Sequence, residues 1–243
     1  MPDAIFSDPR LAAVYDAFDG DRDDLDAYVA IADELRANLV LDVGCGTGSL
    51  AIRLAATGRR VVGVDPADAS LNVARAKDRL AGVGVTWIHG DATAVPALGA
   101  DLAVMTGNVA QVFITDEAWA QTLRAIARTL RPGGHFVFET RRPERQAWLE
   151  WAADTDPVTL DVPGIGQVTQ RLEVTDVALP LVAFRYAYHF ASDGEILTSA
   201  STLRFRSRDE VKAGLAENGF HLEEVREAPD RPGREFVFIA EVP

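Results

Sequence analysis

Residues 39–49, LVLDVGCGTGS, run from an aliphatic stretch straight into a turn with glycine at 44, 46 and 48. The aliphatic residues favour a strand, and glycines directly after it allow left-handed backbone and close approach of a ligand to the main chain. Ser49 opens an amphipathic run, SLAIRLAAT at 49–57, so the stretch reads as strand, turn, helix. The alternation then repeats. Apolar runs RVVGVD (60–65), TWIHGD (86–91), DLAVMT (101–106) and HFVFET (135–140) are interleaved with amphipathic ASLNVARAKDRLA (69–81) and DEAWAQTLRAIARTL (116–130). Strands apolar almost throughout imply a parallel sheet with helices on both faces, an α/β fold.

In the 116–130 helix, Trp119, Leu123, Ile126 and Leu130 fall on one face, Asp116 stands at the N-cap, and Pro132-Gly133-Gly134 ends the element. Upstream of the first strand, Leu25, Tyr28, Ala32 and Leu35 predict a helix packed on the sheet. From about residue 156 the texture changes: VTLDV, QVTQRLEVTDV, LVAFRYAYHFA and EILTSASTLRF follow one another as an antiparallel meander. Asp193-Gly194 predicts a two-residue hairpin, pairing Phe190 with Leu197, Tyr188 with Ser199, Tyr186 with Ser201 and Phe184 with Leu203. A helix at 208–217 and the strand EFVFIAEV close the chain. The expected division is a helical cap at 1–38, a ligand-binding core at 39–150, an antiparallel insert at 156–206, and a C-terminal helix and strand at 207–243 that complete the core sheet.

A chain of 243 residues suits one core with insertions. The net charge of −13, with no long run of Lys or Arg, disfavours nucleic acid and anionic membrane as partners. No stretch approaches the roughly 18 apolar residues of a membrane span. Cys45 is the single cysteine, which excludes an internal disulfide and a multi-cysteine metal site. The N-terminal MPDAIFSDPR has no basic leader or apolar segment, so a cytoplasmic location is expected.

A nicotinamide-dinucleotide loop needs Gly-x-Gly-x-x-Gly, whereas here the third glycine comes one residue early and Ser49 takes its place. Asp65 ends the second strand, where a carboxylate can accept hydrogen bonds from both hydroxyls of an unphosphorylated ribose. Asp91 ends the third, and Asp42 precedes the glycine turn, free to hold the loop or, through water, a ligand's ammonium group.

Together DVGCGTG, VVGVD, HGDAT and LRPGGHFVF resemble class I S-adenosylmethionine (AdoMet) dependent methyltransferases over roughly residues 10–145. The resemblance implies a Rossmann-like sheet, AdoMet as cofactor and S-adenosylhomocysteine as product. It also implies that the backbone of Gly44, Cys45, Gly46, Thr47 and Gly48 lies against the cofactor. Asp65 would hold the ribose hydroxyls, with Pro66 beside it, while Asp91 and Ala92 would read the adenine edge. Tyr15, in VYDAFDG, is similar to the N-terminal element that lids the methionine end. Thr106-Gly107-Asn108 resembles the turn after the fourth strand of glycine N-methyltransferases, Val109 standing where those have serine, which adds Thr106 and Asn108 to the cofactor contacts. The inserted meander resembles that of antibiotic-sugar N-methyltransferases, where an antiparallel sheet roofs the active site.

Methyl transfer from a sulfonium requires chiefly that the pieces be positioned, so no catalytic residue is obligatory. Asn108, Arg141, Tyr188 and His189 are the candidates, on or near the carboxyl edge of the sheet or its expected roof. His189 shares the polar hairpin face with Arg185 and reads as a surface histidine sooner than a catalytic one; Tyr186 and Tyr188 read as core or as a substrate wall. Arg141-Arg142 suit an acidic substrate or surface ion pairs, and Glu139 a buried partner for one of them or a base. Cys45, inside the loop, is assigned no chemistry, and no metal-ligand set is evident. The expected activity is methyl transfer to N or O of a small molecule. The alternatives are an AdoMet-binding regulator without turnover, a nicotinamide-dependent dehydrogenase and aminopropyl transfer.

Overall fold

The computed structural model describes all residues, Met1–Pro243. β1 (Leu39–Val43) lies centrally and pairs in parallel with β2 (Arg60–Asp65), which pairs with β3 (Thr86–His89). On its other side β1 pairs in parallel with β4 (Ala100–Met105), which pairs with β5 (Leu130–Arg141). A separate antiparallel sheet follows: β6 (Val158–Val162), β7 (Gly166–Ala178), β8 (Leu181–Phe190) and β9 (Ile196–Arg204). The chain then returns as β10 (His221–Glu227) and β11 (Glu235–Val242), and β11 runs antiparallel to β5, giving the order β10-β11-β5-β4-β1-β2-β3. Strand order reverses between β1 and β4, and in open α/β sheets the crevice at the carboxyl ends of such strands is where ligands bind.

The helices are α1 (Ala4–Ser7), α2 (Pro9–Asp19), α3 (Leu25–Glu34), α4 (Ser49–Ala56), α5 (Asp68–Ala81), α6 (Asp116–Thr129), α7 (Ala147–Ala153) and α8 (Arg208–Glu217). Alternate residues of the central strands enter opposite cores: Leu41 and Val43 pack with Trp119, Leu123 and Ile126 of α6, while Val40 packs with Leu25 and Ile31 of α3 and Leu54 of α4. Each such side chain, removed from water, contributes about 1.5–3 kcal/mol. No helix is long and apolar enough to cross a membrane.

The small sheet has its own inner face. Tyr188 and Phe190 pack with Ile5, Leu11 and Val14 of α1 and α2 at one end, and Val182 and Leu203 pack with Trp148 of α7 and Phe205 at the other. Between these clusters Phe184 and Tyr186 are only half-buried.

Several details differ from the sequence reading. Thr115, not Asp116, caps α6, its hydroxyl accepting from the Ala118 N–H at 3.1 Å. Leu130 begins β5 instead of ending the helix, and the strand continues across Pro132-Gly133-Gly134 as an irregularity between the pairs Ala100–Leu130 and Leu102–His135. The hairpin register is also shifted: Tyr188 pairs with Leu197, Tyr186 with Ser199, Phe184 with Ser201 and Val182 with Leu203. The loop comprises Ala191 to Gly194, with the Phe190 N–H donating to Glu195 O at 2.9 Å. A tertiary contact favours this longer loop, since Arg10 of α2 pairs with Asp193 at 2.9 Å and with Glu195, its guanidinium 4.1 Å from the Phe190 ring centroid. Because the shift is even, each side chain keeps its expected face.

Candidate functional site

At the end of β1 the backbone of Gly44 and Cys45 donates to Val64 O, at 2.9 and 3.2 Å, tying the turn to β2. Gly44 has φ +71°, and a Cβ there would stand 2.7 Å from Val109 Cγ1, so the turn after β4 is packed directly against the loop. Gly46 also lies in the left-handed region, at φ +53°, but a Cβ there would meet nothing within 4 Å. The loop is thus open at Gly46 and closed by packing at Gly44.

Asp65, at the end of β2, braces this loop. Its carboxylate accepts from Gly46 N–H at 2.9 Å and from Ala67 N–H at 2.8 Å. A carboxylate offers about four lone-pair sites, so two remain. Burial raises the Asp65 pKa, and the two backbone N–H groups oppose it. Asp42 is almost wholly enclosed; burial, then the neighbouring Asp65 charge, pushes its carboxyl up to about 7, against the Ala51 N–H and Arg22. Burial likewise raises the Cys45 thiol, with Asp42 and Asp65 adding to it, which disfavours a thiolate nucleophile.

Thr47 reaches outward from the loop, its hydroxyl donating to Asp16 Oδ1 of α2 at 2.5 Å. The other Asp16 oxygen accepts from Lys77 Nζ at 2.7 Å, which also donates to Ser49 Oγ at 3.0 Å. Tyr15 is half-buried, its ring 5.5 Å from Phe6, and burial, then the Asp19 charge, raises its hydroxyl pKa. Arg22, which the sequence reading passed over, lies in the same neighbourhood and pairs with Asp24 at 2.9 Å and Asp19 at 2.6 Å.

At the end of β3, Asp91 is exposed and caps a short turn at Ala92–Ala94, accepting from Thr93 N–H at 2.8 Å and Thr93 Oγ1 at 2.5 Å. Ala92 is buried and Pro66 exposed, the latter's carbonyl 3.1 Å from His89 Nε2.

Beyond β4, Thr106 is half-buried, and Gly107 and Asn108 donate their N–H groups to Glu139 Oε1 at 2.7 and 3.2 Å. Tyr28 of α3 donates its hydroxyl to the other Glu139 oxygen. Glu139 is therefore not the partner of an arginine; it holds the turn. Glu235 of β11 takes that role, accepting from Arg231 Nη1 and from Asn108 Nδ2, each at 3.0 Å. Asn108 adopts φ +60°, and its buried Oδ1 has no protein partner. Neither Glu235 nor Arg231 carries a sequence signal pointing to Asn108; only the return of β11 beside β5 brings them there.

Arg141, at the end of β5, donates from Nη1 to Gln111 Oε1 at 3.1 Å and lies 5.2 Å from the Trp151 ring centroid. Arg142 pairs instead with Glu227 at 2.9 Å and lies over Phe236. Tyr188 is enclosed, accepts from Gln170 Nε2 at 2.7 Å, and meets Phe18 of α2 edge-on at 5.5 Å. His189 faces solvent on the outer side of the small sheet and is not brought to the other candidates. The glycine loop, Asp42, Asp65, Thr106 and Asn108 converge on the crevice between β1 and β4. Arg141 lies 5.2 Å from the Trp151 ring centroid, Trp151 meets Phe184 at 5.5 Å and Phe184 meets Tyr186 at 5.7 Å, which sets the inner face of the small sheet beside the end of β5.

A methyltransferase domain family matches residues 40–134. An uncharacterised methyltransferase of Mycobacterium tuberculosis is 31% identical over 196 residues, covering 74% of each chain. Among solved structures, an S-adenosylmethionine-dependent methyltransferase from Clostridium acetobutylicum superposes with a TM-score of 0.76 at 16% identity, covering 96% of this chain and 98% of that one. An amino pentose methyltransferase from Micromonospora echinaspora with AdoMet bound gives 0.70 at 24% identity, covering 95% and 97%. Both likenesses are of fold.

Proposed function

The chain belongs to the class I AdoMet-dependent methyltransferase family, and we propose that it transfers the methyl group of AdoMet to a nitrogen or oxygen of a small molecule bound beneath the antiparallel sheet. AdoMet, when bound, supplies a methyl carbon made electrophilic by the positive sulfur beside it. The observation that carries the reading is the brace between Asp65 and Gly46: the carboxylate holds the loop through the Gly46 N–H, is itself fixed by the Ala67 N–H, and retains two acceptor sites. Those sites suit the two hydroxyls of a ribose. The open space at Gly46 suits close passage of a ligand over the backbone, and the unpartnered Asn108 Oδ1 suits a donor at the methionine end.

In this reading Gly44–Gly48, Asp65 and Pro66 hold the nucleoside, Asp91 and Ala92 the base, and Asp42, Tyr15, Thr106 and Asn108 the amino-acid portion. Half-buried Tyr186 walls the acceptor, with Tyr188 enclosed behind it. Holding the acceptor in line with the breaking bond supplies several kcal/mol by orientation, so the chain's residues act by positioning. Asp16, latched to Thr47, keeps α2 over the loop and so excludes water. The likeness in fold to the amino pentose methyltransferase, which spans 95% of this chain, supports a small acceptor; the strongly acidic chain speaks against a polyanion.

The test is calorimetric titration with AdoMet and S-adenosylhomocysteine of the wild type, Asp65→Ala and Gly46→Val. Binding at about micromolar Kd in the wild type, lost in both variants, is expected. Absence of binding to folded wild type overturns the reading. Binding without turnover on any acceptor would favour a regulatory protein.

A further inference from the structure

Arg141 and Arg142 are neighbours in sequence and differ in employment. Arg142 donates from Nη2 to Glu227 at 2.9 Å and from Nε to Glu235 O at 3.4 Å. Arg141 makes one side-chain hydrogen bond, from Nη1 to the neutral Gln111 amide. The nearest carboxylate, Glu235, is 3.9 Å from Arg141 Nε, beyond hydrogen-bonding distance, and is already engaged by Arg231 and Asn108. Most of the five N–H donors of this guanidinium are therefore unspent.

The group is not sealed in protein either, because 23% of the side chain remains accessible. Its surroundings are aromatic: Trp151 lies beneath it, Phe184 meets Trp151 at 5.5 Å, and Tyr186 meets Phe184 at 5.7 Å. Burial raises the Tyr186 hydroxyl pKa, and the positive charge of Arg141 opposes that rise. A guanidinium set among aromatic rings, open on one side and with most of its donors unspent, offers a ready place for an anion. The planar fork suits a carboxylate, which takes two parallel N–H bonds and one more from a phenol.

We propose that Arg141 and Tyr186 form a subsite for a carboxylate on the methyl acceptor, so that the substrate is an acid with a partly apolar body rather than a neutral sugar. This rests on the reading that the acceptor binds beneath the antiparallel sheet.

The probe is phenylacetate against its neutral isostere phenylacetamide, followed by ligand-observed NMR with and without saturating S-adenosylhomocysteine. The wild type is expected to prefer the acid by roughly tenfold, as one charge-assisted pair implies. Arg141→Gln should abolish the preference and Arg142→Gln should keep it. Should Arg141→Gln fail to fold, Arg141→Lys replaces it, with a reduced preference expected, since the point charge lacks the fork. Equal or absent binding of acid and amide to wild type, or a preference unchanged in the Arg141 variants, overturns the proposal. Failure of S-adenosylhomocysteine to bind would instead strike the cofactor reading, which the acid–amide comparison without nucleoside does not share.

Discussion

The side chain of Asn108 is held from one side: Nδ2 donates to Glu235 Oε1 at 3.0 Å, while Oδ1, equally buried, has no protein partner. The carboxylate fixes which atom is which, because only a donor suits a neighbour that solely accepts. Asn108→Asp would set a third carboxylate beside Glu235 and Glu139. We expect it to lower stability by about 3 kcal/mol at neutral to alkaline pH and by less in acid, where one partner takes a proton. Urea unfolding at both pH values checks this, and an equal loss at both would contradict the charge argument.

Asp42 makes the free protein's stability pH-dependent. Its folded pKa, about 7, lies above its ordinary 3.8, so between these values the folded state holds a proton that the unfolded state has lost. Its contribution therefore falls as pH rises through that window and levels off above it. Asp42→Asn should unfold with a flatter profile across the window, measured by thermal melts; a profile as steep as wild type would exclude Asp42 as the source.

Gly44→Ala combines a left-handed φ of +71° with a contact of 2.7 Å to Val109. A loss of about 2–4 kcal/mol is expected. Val109→Ala should restore only part of it in the double variant, since it relieves the clash but not the dihedral angle. Denaturant midpoints of the four proteins give the comparison, and full restoration would show that the backbone angle costs nothing.

The bond from Thr47 to Asp16 ties the glycine loop to α2. A double-mutant cycle with Thr47→Val and Asp16→Ala should return a coupling of about 1–2 kcal/mol. Hydrogen exchange in α2 should quicken in both single variants while the β1 amides stay protected. Strict additivity of the two would mean the latch is a surface contact.

His189→Ala should change stability by no more than about 0.5 kcal/mol and leave turnover unaltered, because the ring faces solvent away from the crevice. A substantial fall in turnover would require a different acceptor position.

The parts of the fold legible in the sequence were those with a local cause. The apolar runs of β1, β2 and β4 and the glycine spacing at 44–48 follow from neighbours in the chain, and the antiparallel sheet followed from alternation and turn residues. Charged HLEEVRE hid β10, an edge strand with little apolar pattern. Asp193-Gly194 suggested the shorter hairpin because nothing nearby reveals Arg10, which pairs with Asp193 and Glu195 of the observed loop and its exit. The environment of Asn108 was illegible for the same reason: Glu235 arrives from a strand formed after the whole antiparallel sheet, and Tyr28 reaches Glu139 from a helix before β1. Sequence pattern reports which residues are apolar or strained; it does not report which distant charges meet.

The lateness of β11 also governs how the polypeptide is made. As β5 leaves the ribosome only β4 is there to pair with it, and the edge that will receive Val237 to Ile239 stays bare while the antiparallel sheet is translated. The first residues wait as well. Ile5 N–H and Asp3 find their partners in Ser199 and Ser201, 194 and 198 positions downstream. The nascent protein thus carries an unpaired strand edge for most of its synthesis, and although α2 can already latch to Thr47 and Lys77, the bonds of Asp3 and Ile5 to β9 are made late. Stalled or prematurely terminated chains that end before β11 should engage holdase chaperones or aggregate through that edge, whereas full-length chains should not.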